Sequence, residues 1–121
     1  MLKLDKIKKY LNYEFSTGWS TGEDYRNFEN EYIKYIKIFC KKYYWKPIKI
    51  NKNHYQFSMF IKNDKNKIIY LAISDVRYYK NEWYNKILIR MANSENDYIG
   101  EKNNYSSLES LHTNLNNLFE M

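Results

Sequence analysis

The chain has few residues that cross-link, break or redirect a backbone: its 121 residues include one cysteine, one proline and three glycines. A single cysteine cannot form an intramolecular disulfide, and no group of thiols and imidazoles stands at the spacing of a zinc site. No segment has the roughly 18 uninterrupted apolar residues of a membrane helix. Lysines also interrupt the opening stretch MLKLDKIKKYLNYEF, where a signal peptide would be apolar. These absences predict a cytoplasmic protein that uses no membrane, metal or cofactor.

Positive charge is in excess, with a formal net charge of +6. Part of the excess reflects composition, because lysine outnumbers arginine 17 to 3 and the residues of AT-rich codons (Lys, Asn, Ile, Tyr and Phe) fill 66 of 121 positions. Codon bias does not explain where the charges fall. Residues 33–63 hold eight lysines and no acid, whereas residues 92–121 hold five acids and one lysine. This uneven distribution favours an anionic partner for the first segment.

Apolar residues recur first at the period of helices and then at that of strands. Helical spacing predicts a short helix over 4–15 and a long one over 25–43 that ends before Pro47. After Pro47, alternation predicts strands in the segments 48–50, 54–62, 68–74 and 83–92, with NDKNK as a hairpin turn. Leucines over 108–119 predict a last helix with Ser106 or Ser107 as its cap.

No repeat or linker divides the chain, so we expect a single α+β domain over residues 1–121. It would have a four-stranded antiparallel sheet with two N-terminal helices and one C-terminal helix, in the order α-α-β-β-β-β-α. The helices would pack on the sheet face that carries the isoleucines. The second face would be covered, most simply by the C-terminal helix, or would be a contact surface of the stacking kind. That face carries Ser58, Phe60, Ile68, Tyr70, Ala72, Leu88 and Arg90.

The segment YIKYIKIFCKKYYWKPIKINKNHY interleaves lysines with aromatic residues. Lysines neutralise phosphates and exposed rings stack on bases, so the pattern is typical of single-stranded nucleic-acid binding. The alternative is an ordinary solvated helix face, and the exposure of Tyr44 and Trp45 discriminates between the two. The candidate contact residues are Lys34, Lys37, Lys41, Lys42, Tyr44, Trp45, Lys46, Lys49 and Lys52.

Catalytic arrangements are scarce in the sequence. The two histidines, His54 and His112, lie far apart, Cys40 falls within the apolar stripe of a helix, and no serine stands in a nucleophile-elbow motif. Carboxylates that could gather a divalent metal are scattered over predicted loops, which seldom form such a site. We therefore expect a protein that is not an enzyme.

Several short motifs resemble those of a small family of proteins from phages and conjugative elements of AT-rich bacteria. These motifs are TGWSTGEDY, SDVRYY, a tryptophan before ILIR, and A…DYIG…NNY, and together they span nearly the whole chain. The family is similar to anti-CRISPR and other anti-defence proteins, and the resemblance implies the cytoplasm of a bacterial host cell. It transfers no residue role. Matching positions include Thr17, Gly18, Gly22 and Asp24, followed by Asp75, Arg77, Arg90, Asp97, Tyr98, Gly100, Asn104 and Tyr105.

The matched positions near residues 90–105 predict an ordered loop, which is either a scaffold or a direct contact. Asp97 and Asn104 would form hydrogen bonds with the backbone amides of the loop, and Gly100 would take a positive φ. Tyr98 and Tyr105 would plug into the domain. A carboxylate–guanidinium pair, Asp97 with Arg77 or Asp75 with Arg90, would brace the loop.

The sequence and the resemblance together predict a non-enzymatic binding protein of a mobile genetic element. We expect an anti-CRISPR inhibitor that binds a CRISPR effector or its guide RNA. The alternative is a nucleic-acid-binding accessory protein of a phage or conjugative element, in which the same lysines would act on single-stranded nucleic acid without an effector.

Overall fold

The computed structural model describes residues 7, 8, 10, 23–52, 56–74, 82–97 and 102–120. Within these residues, three helices and one five-stranded antiparallel sheet confirm a mixed α+β fold. Most of the predicted first helix lies outside the described residues, although Ile7 is buried in the main core. The elements are α1 (Glu23–Lys42), β1 (Lys46–Lys52), β2 (Gln56–Lys62), β3 (Ile68–Ser74), α2 (Glu82–Asn85), β4 (Ile87–Ala92), β5 (Asn104–Ser106) and α3 (Leu111–Phe119).

The sheet is a meander in which each strand pairs with the next one in sequence, in the order β1-β2-β3-β4-β5. The turn between β2 and β3 is the predicted NDKNK segment. The side-chain oxygen of Asn63 accepts hydrogen bonds from the amides of Lys65 (3.0 Å) and Lys67 (2.8 Å). Asn66 takes the left-handed conformation at φ 64°, which asparagine tolerates well. The register of the two central strands is therefore fixed locally.

Two predictions about the second half of the sheet are wrong in detail. Trp83 and Tyr84, expected at the start of the fourth strand, belong to the short helix α2, and β4 begins only at Ile87. A fifth strand, β5, forms in what was predicted to be loop, and pairs with β4 through Ile89–Asn104, Leu88–Tyr105 and Ile87–Ser106. A three-residue polar strand has no apolar alternation of its own, so it forms because the edge of β4 offers unpaired backbone groups.

The last helix starts later than predicted. Ser106 is part of β5, and the hydroxyl of Ser107 accepts a hydrogen bond from the amide of Ser110 (3.2 Å). The amide of Leu108 donates to the carbonyl of Tyr84 (2.7 Å), which holds this segment against α2. The helix α3 begins at Leu111 as a result.

The main core lies between the sheet and the two longer helices. Phe57, Met59 and Ile61 on β2 alternate toward it, as predicted, and so do Ile69 and Leu71 on β3. One side of α1 and one side of α3 cover this same face. The C-terminal helix therefore does not cover the second sheet face, contrary to the simplest form of that prediction.

Aromatic side chains join α1 to α2 within this core. Trp83 is fully buried, and its ring meets that of Phe28 edge to face with centroids 5.1 Å apart. The hydroxyl of Tyr32 donates to the carbonyl of Trp83 at 2.8 Å, so the buried polar atom is satisfied. A tryptophan just before β4 thus serves the core.

A polar cluster ties Lys8 to the region before α3. Lys8 Nζ lies 2.9 Å from Glu109 Oε1, and the hydroxyl of Tyr84 donates to the same carboxylate oxygen. The Tyr84 hydrogen bond and then the Lys8 ammonium hold the pKa of Glu109 below its ordinary value.

The second face of the sheet carries a smaller buried cluster formed by Phe60, Tyr70, Ala72 and Ala92. Ile48 packs against this cluster while Ile50 packs against the main core, because a register shift between Ile48 and Asn51 interrupts the alternation of β1. Lys49, in this irregular stretch, has a φ of 50°.

The turn after β4 is joined to the first strand by a side-chain hydrogen bond. Lys49 Nζ donates to Asn96 Oδ1, although β1 and β4 are separated in the sheet by two strands. Asn96 thus links the turn after β4 to a strand that is not its neighbour in the sheet. In the described part of the chain, no helix has both the length and the apolar character to cross a bilayer.

Candidate nucleic-acid interface

The outer side of α1 carries four of the predicted lysines. Apolar residues three and four positions apart bury one side of the helix and leave the other in solvent. Lys34, Lys37 and Lys41 follow that exposed side at steps of three and four, and Lys42 is the last residue of the helix. All four side chains are exposed.

A Schellman motif ends α1, and its left-handed position is occupied by tyrosine. The amide of Trp45 donates to the carbonyl of Cys40 (2.8 Å), and the amide of Tyr44 donates to the carbonyl of Lys41 (3.2 Å). Tyr44 has a φ of 61°. Glycine is the usual residue here, because a side chain in this conformation costs about 1–2 kcal/mol.

Tyr44 is the most exposed large apolar side chain of the described residues, at 84%. Its ring makes no stacking contact with another ring in the described part of the chain. Tyr44 therefore has the exposure that the nucleic-acid interpretation requires.

Trp45, by contrast, is only 9% exposed, so its prediction as an exposed contact residue is wrong. Its ring lies 5.2 Å from that of Phe119 and 6.0 Å from that of Phe39. In a Schellman motif, the residue after the left-handed position commonly packs against an apolar residue in the last turn, and Phe39 occupies that place. The same cap that exposes Tyr44 therefore buries Trp45.

The three lysines of β1 have different surroundings. Lys46, at the start of the strand, is exposed. Lys49 Nζ donates to Asn96, as described above. Lys52 Nζ donates to Asn30 Oδ1 (2.6 Å) and lies 3.8 Å from Glu29 Oε1. Lys49 and Lys52 are therefore tied to other polar groups of the domain.

The register of the first hairpin adds a lysine that was not among the candidates. Lys46 lies directly opposite Lys62 in the β1–β2 ladder, so the two side chains project from the same face. Lys62 is half-buried. Only the pairing of the strands brings it to the site, which is why the sequence did not indicate it.

These residues lie at one end of the domain, which we call the basic end. It lies where α1 ends, β1 begins and β2 ends. Among the described residues, no carboxylate forms an ion pair with any of its lysines. The basic end comprises Lys41, Lys42, Tyr44, Lys46 and Lys62.

The predicted motif loop is partly a scaffold. Asp97 Oδ2 accepts the amide of Asn93 (2.9 Å), and the amide of Asp97 donates to the carbonyl of Ser94 (3.2 Å). Asn104 Nδ2 donates to the carbonyl of Lys102 (3.1 Å). The prediction that Asp97 and Asn104 bond to the loop backbone is confirmed.

Other motif residues differ from expectation or lie outside the described residues. The guanidinium of Arg90 lies 4.7 Å above the ring of Tyr70, and Nη1 donates to Asn103 Oδ1 at 3.1 Å.

Tyr105 is 60% exposed, so the prediction that it plugs into the domain is wrong. It lies on edge strand β5 opposite Leu88, so its ring projects from the second face at the edge of the sheet. Asp75, Arg77, Tyr98 and Gly100 lie outside the described residues, and so does the proposed bracing of Arg90 or Asp97 by the first two.

The chemistry of the described side chains can be stated briefly. Cys40 is buried, and burial raises the pKa of its thiol to about 12, which keeps it protonated. No three carboxylate, thiol or imidazole groups of the described residues lie close enough together to hold a metal ion. The arrangement at the basic end is suited to binding an anion.

No protein-family model matches the chain, and no curated protein and no solved structure is significantly similar to it.

Proposed function

We propose that this protein is a non-catalytic binding protein of a mobile genetic element that inhibits a CRISPR effector by binding its guide RNA. The observation that carries the proposal is the basic end, where four lysines without a described ion-pair partner occur at the same end of the domain as an exposed tyrosine. The resemblance of the sequence motifs supplies the choice of effector. The domain would act in the bacterial cytoplasm without a cofactor.

Electrostatics supports an anionic target. Unpaired ammonium groups attract phosphates and release the counterions condensed on them. Lys34 and Lys37 extend the positive surface along α1, away from the basic end. A net charge of +6 argues against imitation of the DNA polyanion, a strategy that needs negative charge.

Tyr44 supports a single-stranded target over a duplex. An exposed ring stacks on an unpaired base and has little access to bases inside a helix. Guide RNA offers unpaired bases and phosphates together, which is the combination that the basic end presents.

The proposal is tested by the binding of a labelled single-stranded RNA and by inhibition of effector cleavage. The double variant Lys46→Glu/Lys62→Glu should weaken RNA binding and abolish inhibition. The matched control is Lys86→Glu/Lys102→Glu, which changes the net charge equally at exposed positions outside the basic end. Equal effects of the two variants would contradict a localised site.

A second candidate function is that of a nucleic-acid-binding accessory protein. The exposure of Tyr44, at the same end of the domain as lysines that have no ion-pair partner among the described residues, favours it, because this end can engage a single strand without an effector. Size-exclusion chromatography with guide-loaded effectors separates the two candidates. Co-elution supports the inhibitor, whereas RNA binding without co-elution or inhibition supports the accessory protein.

A further inference from the structure

Two features of the basic end destabilise the free domain. Tyr44 occupies a left-handed cap position that favours glycine. Lys46 and Lys62 are like charges placed directly across an antiparallel ladder, an arrangement that is destabilising in the absence of a counter-charge. Local arrangements of this kind are expected at functional sites, where binding compensates for them.

The two features are adjacent. Tyr44 and Lys46 are two residues apart, so their Cα atoms are at most about 7 Å from each other. Lys62 projects beside Lys46 from the neighbouring strand, with Cβ atoms roughly 5 Å apart in such a pair. Tyr44, Lys46 and Lys62 thus occupy neighbouring backbone positions, close enough for one nucleotide to reach all three side chains.

We infer that the basic end holds one nucleotide of single-stranded RNA, with its phosphate between Lys46 and Lys62 and its unstacked base on the ring of Tyr44. The inference rests on the proposed function and makes it more specific. The phosphate relieves the repulsion between the two ammonium groups. The base covers a ring that is otherwise in water. Because the strained cap already fixes the backbone that carries the ring, binding does not have to order that backbone.

An acidic protein surface is the competing occupant. It would pair with the lysines equally well, but it would not require an aromatic ring at the left-handed position. Base stacking does require one, and it tolerates any base because every base has a π-face. The position of Tyr44 therefore favours RNA.

The test compares Tyr44→Gly with Tyr44→Phe and Asn66→Gly. The glycine variant removes the ring and relieves the backbone, so it should melt at the wild-type temperature or up to about 4 °C higher. It should bind a labelled oligouridylate roughly 5- to 150-fold more weakly, the range that loss of one base–aromatic stack produces. The phenylalanine variant keeps the stacking ring and should bind like the wild type.

Asn66→Gly is the matched control for the backbone. Asn66 is also left-handed, at φ 64°, so its replacement relieves a comparable conformation without removing a ring. Its RNA affinity should equal that of the wild type. A blunt RNA duplex is the control ligand, and its affinity should fall in Lys46→Glu/Lys62→Glu but stay unchanged in Tyr44→Gly.

Three results would overturn the inference, and they differ in what they say about the proposed function. If Tyr44→Gly binds oligouridylate as tightly as the wild type, the base does not stack there, while the proposed function stands. If the lysine and tyrosine variants bind RNA normally but lose a guide-free effector, the basic end is a protein interface. If the wild type binds neither RNA nor effector, the proposed function fails as well.

Discussion

Replacing Trp45 by alanine should remove a large part of the domain's free energy of unfolding, because Trp45 belongs to the core. Its indole is nearly enclosed and packs against Phe39 and Phe119. Truncating a buried tryptophan to alanine costs roughly 3–5 kcal/mol, a large share of the 5–15 kcal/mol that stabilises a typical domain. For 121 residues, an unfolding entropy of about 0.25 kcal/mol per kelvin converts this loss to about 12–20 °C in Tm.

Thermal and urea unfolding measured by far-UV circular dichroism provide the assay. Tyr44→Ala, at the adjacent exposed position, is the control and should change the free energy of unfolding by less than about 0.5 kcal/mol. The argument would be refuted if Trp45→Ala melted with the wild-type protein. Trp45 would then be a surface residue, as the nucleic-acid interpretation of the sequence required.

Three further predictions concern the fold. Cys40 should react with a thiol reagent only after denaturation, since burial keeps the thiol protonated and enclosed; rapid labelling of the native protein would contradict this. Asn63→Ala should cost about 1–2 kcal/mol in urea unfolding, because it removes two side-chain bonds to turn amides, whereas Asn51→Ala on the exposed edge should cost less than about 0.5 kcal/mol. The pKa of Glu109 is lowered in the folded state, so Glu109 contributes stability above its unfolded pKa of about 4.3 and loses that contribution as the pH falls. The difference in the free energy of unfolding between the wild type and Glu109→Gln should therefore shrink below that pH. A difference that stays constant with pH would exclude the effect.

The helix–strand alternation was readable from the sequence because it is a local pattern. The stripe of α1 and the inward residues Phe57, Met59 and Ile61 each follow a period that packing against one core imposes. The α+β class follows from these periods. The NDKNK turn was equally readable, because Asn63 bonds only to its near neighbours.

Features that depend on pairing were not readable. Ile48 and Ile50 show perfect alternation in sequence, yet the irregularity at Lys49 sends them to opposite faces. The strand β5 exists because β4 presents a free edge, and its own residues carry no strand signal. The start of α3 depends in turn on that pairing, which takes up Ser106.

At the basic end, too, features set by the helical period could be predicted from the sequence, whereas features set by cap geometry or strand pairing could not. Lysines on the exposed side of α1 follow from helical period. The opposite fates of Tyr44 and Trp45 depend on cap geometry, which a run of three aromatic residues does not specify. Lys62 joins the site only through the register of β1 with β2.

The central claim is that the lysines of the basic end bind the phosphates of single-stranded RNA, and the salt dependence of that binding tests it most directly. If each of the four lysines neutralises one phosphate, the logarithm of the association constant should fall with the logarithm of salt concentration with a slope of about −3, and Lys46→Glu/Lys62→Glu should reduce the slope by about half. A slope near zero, or the same slope in the variant and the wild type, would contradict the claim.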